Sequence, residues 1–192
     1  MIAILKYNAG NALSVKNAVR KLGFSTVITD DIELLKSAEK VIIPGVGEAG
    51  SAMNYLKEKG LDKVIKSFTQ PVLGICLGMQ LLCEFSEEGA TETLGIFKTK
   101  VLKFPPKELV PHTGWNDFKS VEGKLFEGIG CEENCYFVHC FYAEICDETI
   151  AVTDYILPFS AALQKDNFYA TQFHPEKSSE TGIRILKNFL SL

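Results

Sequence analysis

No apolar run in the chain approaches the ~18 residues that cross a bilayer, so no membrane span is expected. The strand-like start Met1-Ile-Ala-Ile-Leu5 has no charged leader and cleavage site ahead of it, which argues against export. Without an export signal, the six cysteines read as thiols in a reducing compartment, and the expected location is cytoplasmic. The cysteines also lack the C-x2-C knuckle of a structural zinc site. Cys131, Cys135, Cys140 and Cys146 are spaced by four, five and six, and no metal is expected. An excess of positive charge is missing as well: the net charge is −4, which speaks against nucleic acid or an anionic membrane as the main partner. Repeats, low-complexity segments and linkers are missing too. The 192 residues are therefore expected to form a single domain with a sizeable core.

What is present reads first as strand–helix alternation. Ile2–Leu5, Phe24–Thr29, Val41–Pro44 and Pro71–Ile75 are short apolar runs of the kind buried in parallel sheets. Between them lie helical stretches: Ser14, as a cap, to Leu22 before Gly23; Asp31–Ser37; Ala49–Lys59; and Leu61–Phe68. After Glu84 the texture turns to strands, at Ile96–Phe104, Cys135–Ala143, Thr149–Tyr155, Phe159–Lys165 and Phe168–Phe173. A final helix, Ser179 to Leu190, is expected to face the core with Ile183, Leu186 and Leu190. The fold class is α/β: an open, mostly parallel sheet flanked by helices, with added antiparallel strands in the C-terminal half.

The chain is organised around Pro71-Val-Leu-Gly-Ile-Cys76-Leu-Gly-Met-Gln80. Gly74 and Gly78 flank Cys76 two residues away on each side, a G-x-S-x-G elbow with sulfur in place of oxygen. The glycines permit the sharp turn, and helix amides behind Cys76 favour a thiolate. A cysteine simply packed at a strand end is the plainer alternative.

Gly45-Val-Gly47-Glu-Ala-Gly50 fits G-x-G-x-x-G, yet it follows the third strand, and the next strand ends at Cys76 instead of a carboxylate. No dinucleotide or other cofactor is expected. The loop reads better as a source of free amides beside the elbow, so that Gly47 and Leu77 could form an oxyanion hole. Three histidines compete as base. His112 sits in a turn-rich loop and His139 inside a strand. His174 ends a strand, with Glu176 two residues on, near enough to orient its ring. Trp115 and Asn116, on a loop bounded by Pro111 and Gly114, are candidates for partner docking, although Trp115 could as well cover a core edge. Glu87 and Glu88 read as a solvated helix face.

Gly74-Ile-Cys-Leu-Gly-Met-Gln80 taken with Gln172-Phe-His-Pro-Glu176 resembles the class I (triad) glutamine amidotransferases. Pro44-Gly-Val-Gly47, Pro111-His-Thr-Gly-Trp-Asn116, Tyr136-Phe-Val-His139 and His174-Pro-Glu-Lys-Ser178 narrow the resemblance to the branch that supplies ammonia for imidazole glycerol phosphate in histidine biosynthesis. The resemblance implies glutamine hydrolysis through a Cys76 thioester, with His174 and Glu176 completing the triad. It implies that Gln80 and the backbone of His139, Cys140 and Phe141 hold the substrate's amino-acid end. It also implies a heterodimer with a (βα)8-barrel cyclase, docked near Trp115, Asn116, Lys177 and Ser178. The first loop departs from the family's Asp-Tyr-Gly-x-Gly-Asn, reading Lys6-Tyr-Asn8-Ala-Gly-Asn11. Two alternatives stay open: a triad glutaminase serving an amidinosugar or pyridoxal phosphate synthase, and a non-catalytic regulatory module on the same fold.

Overall fold

A computed structural model describes residues 1–8 and 10–192; Ala9, in the departing first loop, lies outside the described residues. Four short strands, β1 (Ile2–Leu5), β2 (Thr26–Thr29), β3 (Lys40–Ile43) and β4 (Val72–Ile75), alternate with α1 (Ala12–Lys21), α2 (Ile32–Ser37), α3 (Ala49–Glu58) and α4 (Leu61–Lys66). Then come α5 (Leu77–Leu82), β5 (Phe85–Ser86), β6 (Thr91–Glu92), β7 (Lys100–Lys103), β8 (His112–Asn116), β9 (Ser120–Val121) and β10 (Cys135–His139). The chain closes with β11 (Phe141–Ala143), β12 (Thr149–Tyr155), β13 (Leu157–Lys165), β14 (Phe168–Thr171) and α6 (Ser179–Leu190).

The main sheet runs in the order β2-β1-β3-β4-β14-β13-β11-β7-β5-β6, with β12 on β13. Its β2-to-β14 half is parallel and the β14-β13-β11-β7 half antiparallel. This is the expected fold class, and it is what the residues dictate. Strands buried along their whole length, such as Ile2–Leu5 and Val72–Ile75, need cover on both faces, and helices supply it. One face packs Val15, Val19, Ile185, Leu186 and Phe189 of α1 and α6 on Ile4, Ile42 and Leu73. The other packs Met53, Leu56, Ile65 and Leu81 of α3, α4 and α5 on Leu5, Val41 and Val72.

Several boundaries differ from the sequence reading. Helix α1 starts two residues before Ser14, behind a left-handed Asn11, and Ser14 caps nothing. Of the strand expected over Ile96–Phe104 only Lys100–Lys103 pairs. The long strand expected over Cys135–Ala143 breaks at Cys140: β10 leaves the sheet to pair antiparallel with β8 in a separate ribbon, while β11 stays. His112, Trp115 and Asn116, expected on a loop, therefore lie on a strand, because β10 supplies the ladder partners that the segment's turn-like composition hides. In α6 the buried stripe is Gly182, Ile185, Leu186, Phe189 and Leu190, while Ile183 is 47 % exposed. Gly182 explains the rotation. A Cβ there would lie 2.0 Å from the Pro175 carbonyl oxygen, so the helix docks on that face and Ile183 turns outward.

Candidate active site

The C-terminal ends of β4 and β14, adjacent and parallel, bring the elbow and the Gln172–Glu176 segment together. The elbow is tight. A Cβ on Gly78 would fall 2.0 Å from the Ile43 carbonyl oxygen, and one on Gly74 would fall 2.7 Å from the Gly78 carbonyl oxygen. Only glycine lets β3, β4 and α5 approach so closely. Cys76, between them, is forced to φ 52° and ψ −106°, a strained conformation for a residue with a side chain. Its amide donates to the Thr171 carbonyl at 2.7 Å, tying the elbow to β14. Cys76 is 7 % exposed, at the floor of a cavity of about 300 Å³.

His174 is fully buried beyond the end of β14. Its Nδ1 donates to Glu176 Oε1 at 2.8 Å, and both side chains are shut off from solvent. Asn11 Nδ2 donates to the same Oε1, so the carboxylate is held from two sides. Burial alone would pull the His174 pKa down. The nearby Cys76 sulfur and the hydrogen-bonded, charged Glu176 more than offset this and carry it up to about 10. The turn is locked by Ser178, whose Oγ donates to the His174 carbonyl at 2.6 Å and accepts from the Tyr136 amide at 2.9 Å. Ser178, expected on a partner surface, is thus buried and internally bonded. The cause is the tight turn after Pro175, which folds Ser178 back beneath His174.

The cavity is lined by Val46, Gly47, Cys76, Leu77, Gln80, Glu88, Pro111 and the 138–141 segment, so Gly47, Leu77, Gln80, His139, Cys140 and Phe141 all reach it. Gly47 has φ +144° and sits against Leu77, where a Cβ would be 3.7 Å from Leu77 Cδ2. Gln80 Nε2 donates to the Phe141 carbonyl at 3.1 Å and to Gln172 Oε1 at 3.0 Å, which leaves its own Oε1 for a ligand. Gln172 Nε2 in turn lies 3.6 Å from Cys76 Sγ. Asn116 and Trp115 do not reach the cavity. Trp115 is 55 % exposed and edge-on to Tyr136, and Lys177 Nζ lies 5.9 Å from the Tyr136 ring, so these three form one exterior patch.

Glu88, Tyr7 and Gln172 were not singled out as site residues by sequence reasoning. Glu88, read as a solvated face, lines the cavity and accepts the Ala49 amide at 2.8 Å; burial raises its carboxyl pKa and that bond lowers it. Nothing in its spacing signals this, because the turn after β5 carries it inward. Tyr7, in the first loop, is buried, donates its hydroxyl to the Pro44 carbonyl, and is raised by burial and by its closeness to Cys76. Gln172 was legible only as part of its motif. The His112 and His139 rings are buried and adjacent, with pKa values held down by burial at about 4 and about 3.

A buried sulfur at a strained elbow, beside an imidazole oriented by a carboxylate, can attack an acyl carbon and shuttle the proton that the leaving group needs. The Glutamine amidotransferase class-I family matches residues 4–192 of the chain. A relative from Bacteroides thetaiotaomicron, "Imidazole glycerol phosphate synthase subunit HisH", is 60 % identical over 100 % of this chain and 99 % of its own length. A protein of the same name from Haemophilus influenzae is 46 % identical over 98 % of this chain and 96 % of its own. A solved glutamine amidotransferase (TM-score 0.76, 20 % identity, 99 % and 97 % coverage) shares the fold. So does the Thermotoga maritima PurLQS structure (0.70, 19 %, 99 % and 97 %). The chain belongs to the class I glutamine amidotransferases, among the relatives named imidazole glycerol phosphate synthase subunit HisH.

Proposed function

We propose that residues 1–192 act as one glutamine amidotransferase domain, the glutaminase of an imidazole glycerol phosphate synthase that serves histidine biosynthesis. The observation that carries this reading is the buried Glu176–His174 pair set beside Cys76 at the floor of a substrate-sized cavity. Glutamine lies with its carboxamide over Cys76 and its amino-acid end between Gln80, Glu88 and the backbone of 139–141. The Cys76 thiolate attacks the amide carbon, and the oxygen takes up negative charge against amides of Gly47 and Leu77. His174, protonated by the transfer from Cys76, gives that proton to the leaving nitrogen, and ammonia departs from a γ-glutamyl thioester. Water then attacks the thioester while His174 takes its proton. Glutamate leaves, and the sulfur recovers its starting state.

The ammonia passes to a (βα)8-barrel cyclase in a heterodimer, where it enters the imidazole ring. The exterior patch of Trp115, Tyr136 and Lys177 is the docking face, adjoining the triad through the 174–178 turn. The Gly45-Val-Gly47 segment can reverse a peptide at little cost, so the oxyanion amides respond to docking. The decisive experiment measures glutamine-dependent and ammonia-dependent ring closure in the complex. Cys76→Ala is expected to abolish the first and leave the second. Wild-type glutaminase activity in Cys76→Ala removes the reading.

A further inference from the structure

Away from the triad, polar groups of the ribbon and of β11, from half-buried Asn116 to the buried His112 and His139, join into a single line whose hydrogen-bond directions can all be assigned. His139 Nδ1 lies 2.7 Å from the Phe141 carbonyl oxygen. A carbonyl only accepts, so this nitrogen carries the proton. The ring is held neutral by its burial, so Nε2 is bare and must accept. Its neighbour at 3.0 Å is His112 Nδ1, which therefore donates. His112 is buried and neutral in turn, and its bare Nε2 lies 3.3 Å from Asn116 Nδ2. The Asn116 amide is fixed the right way round: Oδ1 accepts the Asp117 amide at 2.9 Å, and Nδ2 also donates to the Asp154 carbonyl at 3.1 Å. Every link thus points inward, from Asn116 through His112 and His139 to Phe141.

The line does not stop at Phe141. The same carbonyl accepts Gln80 Nε2, whose second hydrogen goes to Gln172, and Gln172 reaches the Cys76 sulfur. Aromatic rings wall the outer half. His112 stacks on Tyr155, with centroids 4.0 Å apart and planes 14° apart, and on Phe137 at 5.0 Å and 24°. Phe159 lies edge-on to His139 at 5.2 Å. In such surroundings each hydrogen bond is electrostatically strong and a broken one is costly, so the members hold one another in register. Satisfying two buried imidazoles would need only local partners. It would not need a line that starts beside an exposed tryptophan and ends on the substrate cavity.

We propose that Asn116, His112 and His139 are positioning residues of the glutamine site: their line carries the placement of the β8 edge at Trp115 to the Phe141 carbonyl and to Gln80. This rests on the glutaminase reading of the cavity. The two can fail separately, since Cys76→Ala tests that reading and the variants here test only the line. In the complex with the synthase, His112→Phe keeps the aromatic stack and ends the line, whereas His112→Gln keeps a donor and an acceptor. His112→Phe should raise KM for glutamine about tenfold with kcat within about threefold, and His112→Gln should recover most of that rise. Asn116→Leu, outside the cavity lining, should move KM the same way by a smaller factor. Wild-type KM in His112→Phe, or equal KM in the Phe and Gln variants, overturns the proposal. Should His112→Phe fail to fold, ring-nitrogen NMR of the unmodified full chain decides. Both histidines are expected as neutral Nδ1–H tautomers at neutral pH, and either one found as Nε2–H overturns the line.

Discussion

His174 and His139 are both buried, on segments that meet where the Tyr136 carbonyl accepts the His174 amide. Burial pushes both imidazoles toward the neutral form. They end at opposite extremes, about 10 and about 3, because their partners differ. His174 has a carboxylate on Nδ1 and the Cys76 sulfur beyond. His139 has a carbonyl on Nδ1 and a second neutral imidazole on Nε2. The neighbours, and not the depth of burial, decide which histidine can hold a proton in reserve. The proposed base is on the side with negative charge.

Substituting both rings is the most forceful way to break that contrast. His174→Ala is expected to reduce glutamine hydrolysis by roughly 10⁴-fold, since nucleophile and base act as a unit. His139→Ala, which removes no proton carrier, should act mainly through KM. Single-turnover formation of the acyl-enzyme separates them, and a larger defect in His139→Ala would hand the role of base to the wrong side of the comparison. Glu176→Gln keeps the shape and removes the charge that lifts His174. We expect a loss of roughly 10²-fold, with the alkaline limb of the pH–rate profile moving to lower pH. An unmoved limb would mean that the carboxylate does not tune His174. Asn11→Ala removes one donor from that carboxylate and should cost about threefold to tenfold in kcat with little change in KM.

The two histidines also mark how much of the site the sequence made legible. His174 and Glu176 are two residues apart on one tight turn, so a local spacing foretold their contact at 2.8 Å. The elbow was legible for the same reason: Gly74, Cys76 and Gly78 are neighbours in the chain, and the parallel α/β sheet follows from strand–helix alternation up to Leu82. The pairing of His112 with His139 depends on an antiparallel register between β8 and β10, across 27 residues. Pro-His-Thr-Gly-Trp-Asn has the composition of a turn, and only the partner strand makes it extended. Glu88 reaches the cavity through a turn whose residues resemble any exposed acidic loop. Local chemistry was readable; placements created by tertiary pairing were not.

The smallest expected effect sharpens the comparison through stability. The ordinary histidine value is 6.5. Burial above all holds His112 at about 4 and His139 at about 3, so below pH 6.5 the unfolded chain takes up protons that the folded chain refuses. Stability therefore falls as pH drops from 6.5 toward 4, by up to about 1.4 kcal/mol per pH unit for each such histidine. His174 acts in the opposite sense. Its raised value means that its contribution is whole below pH 6.5 and is lost as pH climbs toward about 10. Asp30 and Glu39, lowered chiefly by hydrogen bonds to Tyr55 and to the N-terminus, add acid sensitivity, while Glu88, raised by burial, offsets part of it. The informative quantity is thus the difference between variants. Urea midpoints of the wild type and of His112→Phe, followed from pH 7 to pH 5, should show a slope shallower by about one proton in the variant. Equal slopes would mean that the neutral pair is not what the fold refuses to protonate, and the contrast with His174 would then rest on geometry alone.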